Sequence, residues 1–215
     1  MPTDPDAGGR ATAAFRPRKP VVIGILGGIA AGKSAVAGMF AAHGLVLLDA
    51  DEEARLVAAE PDVQREVAAA FGPDVLAEGG LDRRALAALV FGDARARQRL
   101  EAIMHPRIRA RLLARLDQAK ANGDSVLLDV PLLLEGGLIA CCDEVVFVDA
   151  APAVRAARAR ERGWQQGELE QRQAAQAPLH EKRARASHCI QNDGDFDETR
   201  RQVAALLREW TTRTP

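Results

Sequence analysis

Gly27 and the triplet Gly32-Lys33-Ser34, with four residues between them, bracket a segment that reads GGIAAGKS. This is the spacing of a loop that wraps phosphate. Consecutive amide N–H groups and the N-terminus of the following helix face the anion, the lysine bridges its outer phosphates, and the serine hydroxyl holds Mg2+. The residues expected to meet a nucleoside triphosphate are Gly28, Ile29, Ala30, Ala31, Gly32, Lys33, Ser34 and Ala35. The competing reading is a plain glycine turn between strand and helix. Ala30 and Ala31 stand where backbone must approach a ligand closely, and they serve as amide donors provided that their φ angles are negative.

Other residue types suited to phosphate chemistry lie downstream. Asp49 and Asp51 follow an apolar run, and a carboxylate there could accept the proton of a hydroxyl acceptor. Asp49 and Glu52 also have the spacing of a helix capping box, so either aspartate could cap a helix. Asp49 is open to a second use, holding water around Mg2+. Asp129 closes the run SVLLD in the manner of an acid that orients the water shell of Mg2+. Residues 155–185 form the clearly basic stretch, and Arg155, Arg158 and Arg162, three and four apart, would share one helix face. His105-Pro106 is expected to end a helical segment, with the histidine as a structural hydrogen-bonder.

Positioning these groups requires strands that end where the loops begin. Short apolar runs at Val21–Leu26, Leu45–Leu48, Ser125–Val130, Glu144–Val148 and His188–Gln191 read as buried strands. Helical spacing appears at Ser34–Ala42, Arg83–Phe91, Ala94–Ala121 and Phe196–Trp210. The alternation predicts a three-layer α/β fold around a five-stranded parallel sheet, with Asp51 and the phosphate loop at carboxyl ends of strands. About 75 residues separate the second and third strands, enough for an inserted helical subdomain over 52–122. Roughly 40 residues before the last strand leave room for a helical hairpin, a lid over 152–186.

Composition narrows the class. In 215 residues the formal net charge is −1, so neither nucleic acid nor a membrane surface is an expected partner, and the chain reads as a monomer or weak homo-oligomer. Cys141, Cys142 and Cys189 form no CxxC pattern, and a reducing cytoplasm is the expected setting. Residues 1–19, rich in Pro, Gly, Ala and charge, read as a mobile tail without the apolar core of a signal peptide. A guanine-reading Asn-Lys-x-Asp sequence is absent, and Asp129 is followed by Val130 rather than a glutamate. These features disfavour a regulatory GTPase and a motor ATPase and favour a small-molecule kinase.

Seven marks in order carry a closer resemblance: GGIAAGKS at 27–34, DAD at 49–51, GLDRRAL at 80–86, LEAIMHP at 100–106, DVPLLLE at 129–135, QAAQAPLHEKRARA at 173–186 and NDG at 192–194. Together they resemble the dephospho-coenzyme A kinase family over residues 20–208. The resemblance implies a P-loop kinase fold, ATP as co-substrate with Mg2+, and transfer of the γ-phosphate to the ribose 3'-hydroxyl of dephospho-coenzyme A. It implies that Asp51 is the base, Lys33 and Arg158 act on the phosphates with Arg162 as a second lid arginine, and Asn192 and Gly194 line the adenine. Arg83, His105 and Arg107, with Asp49, become candidates for the acceptor, and Ser34 and Asp129 for the metal. The sequence departs from the family at Leu26, often threonine there, at Ala30-Ala31, at Arg155, usually glutamine, and at Ser187, usually aspartate. Two rivals remain: a kinase of another small acceptor, such as a nucleoside monophosphate or sugar acid, and a nucleotide-binding regulator with little turnover.

Overall fold

The computed structural model describes residues 14–212, so most of the expected tail lies outside the described residues. The described part of that segment is anchored rather than loose. The Phe15 amide donates to the His43 carbonyl at 2.7 Å, and its ring meets Trp210 edge-on with centroids 6.5 Å apart.

Five strands form the main sheet: β1 (Val22–Gly27), β2 (Val46–Asp49), β5 (Val126–Asp129), β6 (Glu144–Asp149) and β7 (His188–Gln191), in the order β2-β5-β1-β6-β7. β1 runs parallel to β5, with Ile23 opposite Leu127, and to β6, with Leu26 opposite Phe147; β6 in turn is parallel to β7. Every residue of β1 is buried, as expected of a strand covered on both faces. The strands begin and end within a residue or two of their expected bounds.

By its contacts the chain divides into two compact units. The first, residues 1–47 and 123–215, holds the phosphate loop, α1 (Lys33–Ala41), β5 to β7 and the C-terminal helix α9 (Phe196–Thr212). Its core joins Ile23, Ile25, Val36, Phe40, Val146, Val148, Ile190, Val203, Leu207 and Trp210. α6 (Pro152–Glu161), α7 (Glu168–Ala174) and α8 (Leu179–Ala184) occupy the expected lid segment, three helices where a hairpin was expected.

The second unit, residues 48–122, contains α2 (Ala50–Ala58), α3 (Pro61–Phe71), the ribbon β3 (Leu76–Ala77) and β4 (Gly80–Leu81), α4 (Arg83–Val90) and α5 (Ala94–Asn122) around Val57, Val63, Val67, Val75, Leu86 and Ile103. The ribbon was not legible in the sequence, because two-residue strands carry no periodicity.

His105-Pro106 does not end a helix. α5 runs 29 residues straight through it, with buried Ile103 before and Leu112, Leu116 and Ala119 after. Proline removes one helical N–H and crowds the preceding turn. Here the Arg107 guanidinium donates to the Ile103 carbonyl at 2.8 Å, so a side chain serves a carbonyl of the disturbed turn while apolar burial continues on both sides.

Candidate active site

The loop between β1 and α1 has the geometry of an anion cradle. Gly32 caps α1 in the left-handed region (φ 91°, ψ 29°), and the first helical bonds run from Ala35 and Val36 to its carbonyl. The N–H groups that open a helix have no intrahelical acceptor, which is what makes such an end a site for anions. A Cβ on Gly32 would be strained by its φ and would run into the Asn192 side-chain amide, so only glycine fits. Lys33 is half-buried with its stem beside Gly27, and Ser34 is exposed in the first turn.

The two alanines separate in role. Ala31 is fully buried, and its methyl belongs to the core. Ala30 has φ 61°, the only positive φ among the described non-glycine residues, so the expectation of a negative angle does not hold there. Left-handed backbone costs an L-residue about 1–2 kcal/mol, and such strain persists where neighbours over-determine it.

The neighbours that do so converge on the Ala31 carbonyl. It accepts from Asn192 Nδ2 at 2.7 Å and from Arg158 Nη1 at 3.1 Å. Arg158 Nη2 also donates to the Asn192 carbonyl at 2.8 Å. The Arg158 guanidinium therefore lies against backbone oxygens of the loop and of the turn after β7, which brings the two sequence marks GGIAAGKS and NDG together. Asn192 is buried in that turn, while Gly194 is exposed. Arg162, at the C-cap of α6, is exposed as well.

Two other basic residues within 152–186 are buried structural members. Arg155 lies beside Gly28, donating through Nε to the Ala150 carbonyl at 3.2 Å and through Nη1 to Gln173 Oε1 at 2.5 Å. Lys182 donates to Gln176 Oε1 at 2.8 Å and lies 3.7 Å from Glu135. The other departures have local explanations. Leu26 is buried within β1. The Ser187 hydroxyl donates to Glu144 at 2.7 Å and accepts from the Val145 amide, at the amino ends of β6 and β7, away from the phosphate loop.

Among the described residues no group of three or more His, Cys, Asp or Glu side chains could hold a metal ion. What exists is an exposed serine hydroxyl at the start of α1 and Asp129, half-buried at the carboxyl end of β5 beside β1. Hard oxygen donors in such small number suit Mg2+, which keeps several waters and takes the rest of its shell from phosphates.

In the second unit Asp49 is the N-cap of α2, its carboxylate accepting from the Asp51 amide at 2.7 Å. That settles the competition over capping: Asp49 caps, and the Asp51 carboxylate, exposed in the first turn, makes no hydrogen bond or ion pair among the described residues. One turn along the same helix, Glu53 is fully buried. Burial pushes its carboxyl upward, but hydrogen bonds and charge from Arg115 and Arg111 outweigh this and hold it below the ordinary value. Arg111 Nε donates to Glu53 at 2.8 Å, and Arg111 also reaches Glu60 at 3.2 Å, so α2 is stapled to α5.

The acceptor candidates do not form one cluster of like environment. Arg107 is engaged with Glu66 at 2.7 Å. His105 is exposed on α5. Arg83 lines a cavity of about 330 Å3 with Arg55, over an apolar floor that includes Leu81, Leu86, Leu100 and Met104. Arg55 and Glu53 in the second unit, and Thr199, buried next to Asn192 in the first, are residues that sequence reasoning missed. Nothing in composition or spacing distinguishes them: Thr199 and Glu53 are fixed by partners 7 and 62 positions away, and Arg55 takes its place from the cavity that it lines.

Comparison with known proteins agrees with this geometry. The family model described as dephospho-CoA kinase matches residues 21–198. The dephospho-CoA kinase of Geobacillus kaustophilus is 42% identical over 194 residues, covering 88% of this chain and 96% of that protein. That of Deinococcus radiodurans is 44% identical, covering 93% and 97%. A crystal structure of a Thermus thermophilus protein, 36% identical, superposes with a TM-score of 0.73 over 89% of this chain and 98% of that one. The dephospho-CoA kinase of Campylobacter jejuni, 20% identical, shares the fold with a TM-score of 0.68. A phosphate loop built on β1 and α1, a parallel sheet in the order observed, and likeness along nearly the whole chain lead to one assignment: the chain belongs to the dephospho-CoA kinase family of P-loop kinases.

Proposed function

We propose that the chain transfers the γ-phosphate of ATP to the ribose 3'-hydroxyl of dephospho-coenzyme A, giving coenzyme A and ADP, the last step of coenzyme A synthesis. The observation that carries the reading is the phosphate loop itself, with Gly32 in the left-handed cap and Lys33 and Ser34 opening α1. The loop from Gly28 to Ala35 wraps the phosphates, through amides other than those of Ala31 and Ala35, which bond to the Gly28 and Gly32 carbonyls. Lys33 lies against the outer phosphates, and the turn at Asn192 and Gly194 borders the adenine. Mg2+ would be held by Ser34, with Asp129 acting through water, and would neutralise charge on the phosphates.

Phosphoryl transfer needs little covalent help from the protein and much positioning and charge. Lys33 supplies positive charge to the transferring group, and Arg162, exposed at the end of α6, brings more from the lid. Arg158 contributes mainly by bracing the loop, since its guanidinium is already bonded to two carbonyls. Asp51, its carboxylate unengaged, takes the proton of the 3'-hydroxyl as the new bond forms. The cavity edged by Arg55 and Arg83 suits an acceptor with anionic and apolar parts, which dephospho-coenzyme A has. The lid 152–186, the acceptor role of 52–122 and a cytoplasmic setting belong to the same proposal; among the described residues no helix is long and apolar enough to cross a membrane.

The test is phosphate transfer from ATP measured with dephospho-coenzyme A, AMP and gluconate side by side. Turnover with dephospho-coenzyme A alone is expected. Turnover with another acceptor would reassign the substrate, and ATP binding without any turnover would overturn the enzyme reading.

A further inference from the structure

Asn192 has almost no freedom. Its amide donates to the Asp149 carbonyl at 2.8 Å, its carbonyl accepts from Arg158, its Nδ2 donates to the Ala31 carbonyl, and its Oδ1 accepts from Thr199 Oγ1 at 3.1 Å. Asn192 is 3% exposed and Thr199 1% exposed. Thr199 sits in the first turns of α9, and its hydroxyl is also 3.2 Å from the Asp195 carbonyl. A side-chain amide can be turned end for end with little change of shape. The Ala31 carbonyl can only accept, so the Nδ2 end faces it, and the Thr199 hydroxyl, by giving its one proton to Oδ1 rather than to the Asp195 carbonyl, holds the amide in that orientation.

The carbonyl so held follows directly on Ala30, the strained residue of the loop. A left-handed alanine relaxes unless its neighbours fix it, whereas glycine takes that geometry unaided. We infer that Thr199 is a positioning residue for the nucleotide loop: through Asn192 it fixes the Ala31 carbonyl and so keeps Ala30 in the conformation that presents the loop amides to phosphate. Thr199 touches neither nucleotide nor acceptor, and its effect reaches the site only through this chain of two hydrogen bonds. The inference rests on the reading of the loop as the ATP site.

The experiment uses the full chain as wild type, Thr199→Val, Thr199→Ser, Ala30→Gly and the double variant Ala30→Gly/Thr199→Val. ATP affinity is read by calorimetry and the KM values for ATP and dephospho-coenzyme A by initial rates, well below each variant's unfolding temperature. Losing one buried hydrogen bond predicts that Thr199→Val weakens ATP binding about fivefold to tenfold with the acceptor KM within about twofold. Thr199→Ser, which keeps the hydroxyl, should stay within about twofold of wild type; Ala30→Gly, itself a change in the loop, sets its own reference value, and the double variant should match that Ala30→Gly value. That recovery separates positioning from general loosening of α9, which glycine at position 30 would not cure. Unchanged ATP affinity in Thr199→Val, or a double variant as impaired as Thr199→Val, overturns the inference. If Thr199→Val does not fold, Asn192→Asp removes the donor to Ala31 and is crossed with Ala30→Gly in the same way. A wild type that does not bind ATP would instead overturn the reading of the loop.

Discussion

Asp49 and Asp51 lie two residues apart and are proposed to do different work for a geometric reason: the N-cap position can be occupied once, and Asp49 occupies it. Replacing each in turn separates capping from catalysis. Asp49→Ala should lower stability by about 1 kcal/mol, the usual loss for a cap, read by urea unfolding. Asp51→Asn should leave stability within about 0.5 kcal/mol and lower kcat by about a hundredfold or more. A rate near wild type would remove Asp51 from the chemistry. Ala30 teaches a related lesson, because residue type alone does not say which of two adjacent alanines fills the core and which carries the bend. Ala31 is core and Ala30 is strained, although the two side chains are identical.

At the scale of elements, α2 depends on a buried carboxylate two residues from Asp51. Glu53 bonds to Arg111 and Arg115, each about two-fifths exposed. Glu53→Gln removes the buried counter-charge of two guanidiniums, leaving Arg111 with Glu60 and Arg115 with Glu52, and breaking such a pair costs about 3–5 kcal/mol when both partners are buried. Because water reaches these arginines, a smaller loss of about 2 kcal/mol at pH 7 is expected from denaturant unfolding. The sign with pH follows from the lowered carboxyl of Glu53. Its contribution is complete above the unfolded value of 4.5 and disappears as pH falls through the lower folded value. The wild type should therefore lose stability from about pH 4.5 downward more steeply than Glu53→Gln, and parallel acid titrations of the two would refute the role.

At the scale of the molecule, each of the two units has a core of its own, so ligands should protect them unequally. Hydrogen exchange followed with ATP at about a hundred times its Kd should slow amides around residues 27–35 and 192–194, by up to about 2.7 kcal/mol of added local stability. Dephospho-coenzyme A should instead protect amides in 48–122, around Arg55 and Arg83. Protection by ATP confined to 48–122 would contradict the assignment of the phosphate loop.

By itself the sequence determined the strand runs of the sheet, the phosphate loop and the family. Apolar runs of four to six residues and the fixed offset from Gly27 to Ser34 are local patterns whose meaning does not depend on distant partners. Only the tertiary structure decided that α5 continues through Pro106, that Arg155 and Lys182 are buried supports, that Arg158 braces carbonyls, and that Thr199 stands behind the loop. Each of these outcomes turns on a hydrogen-bond acceptor or an apolar neighbour supplied from elsewhere in the chain. The energy of such a contact exists only once folding has brought both partners together and removed the water between them.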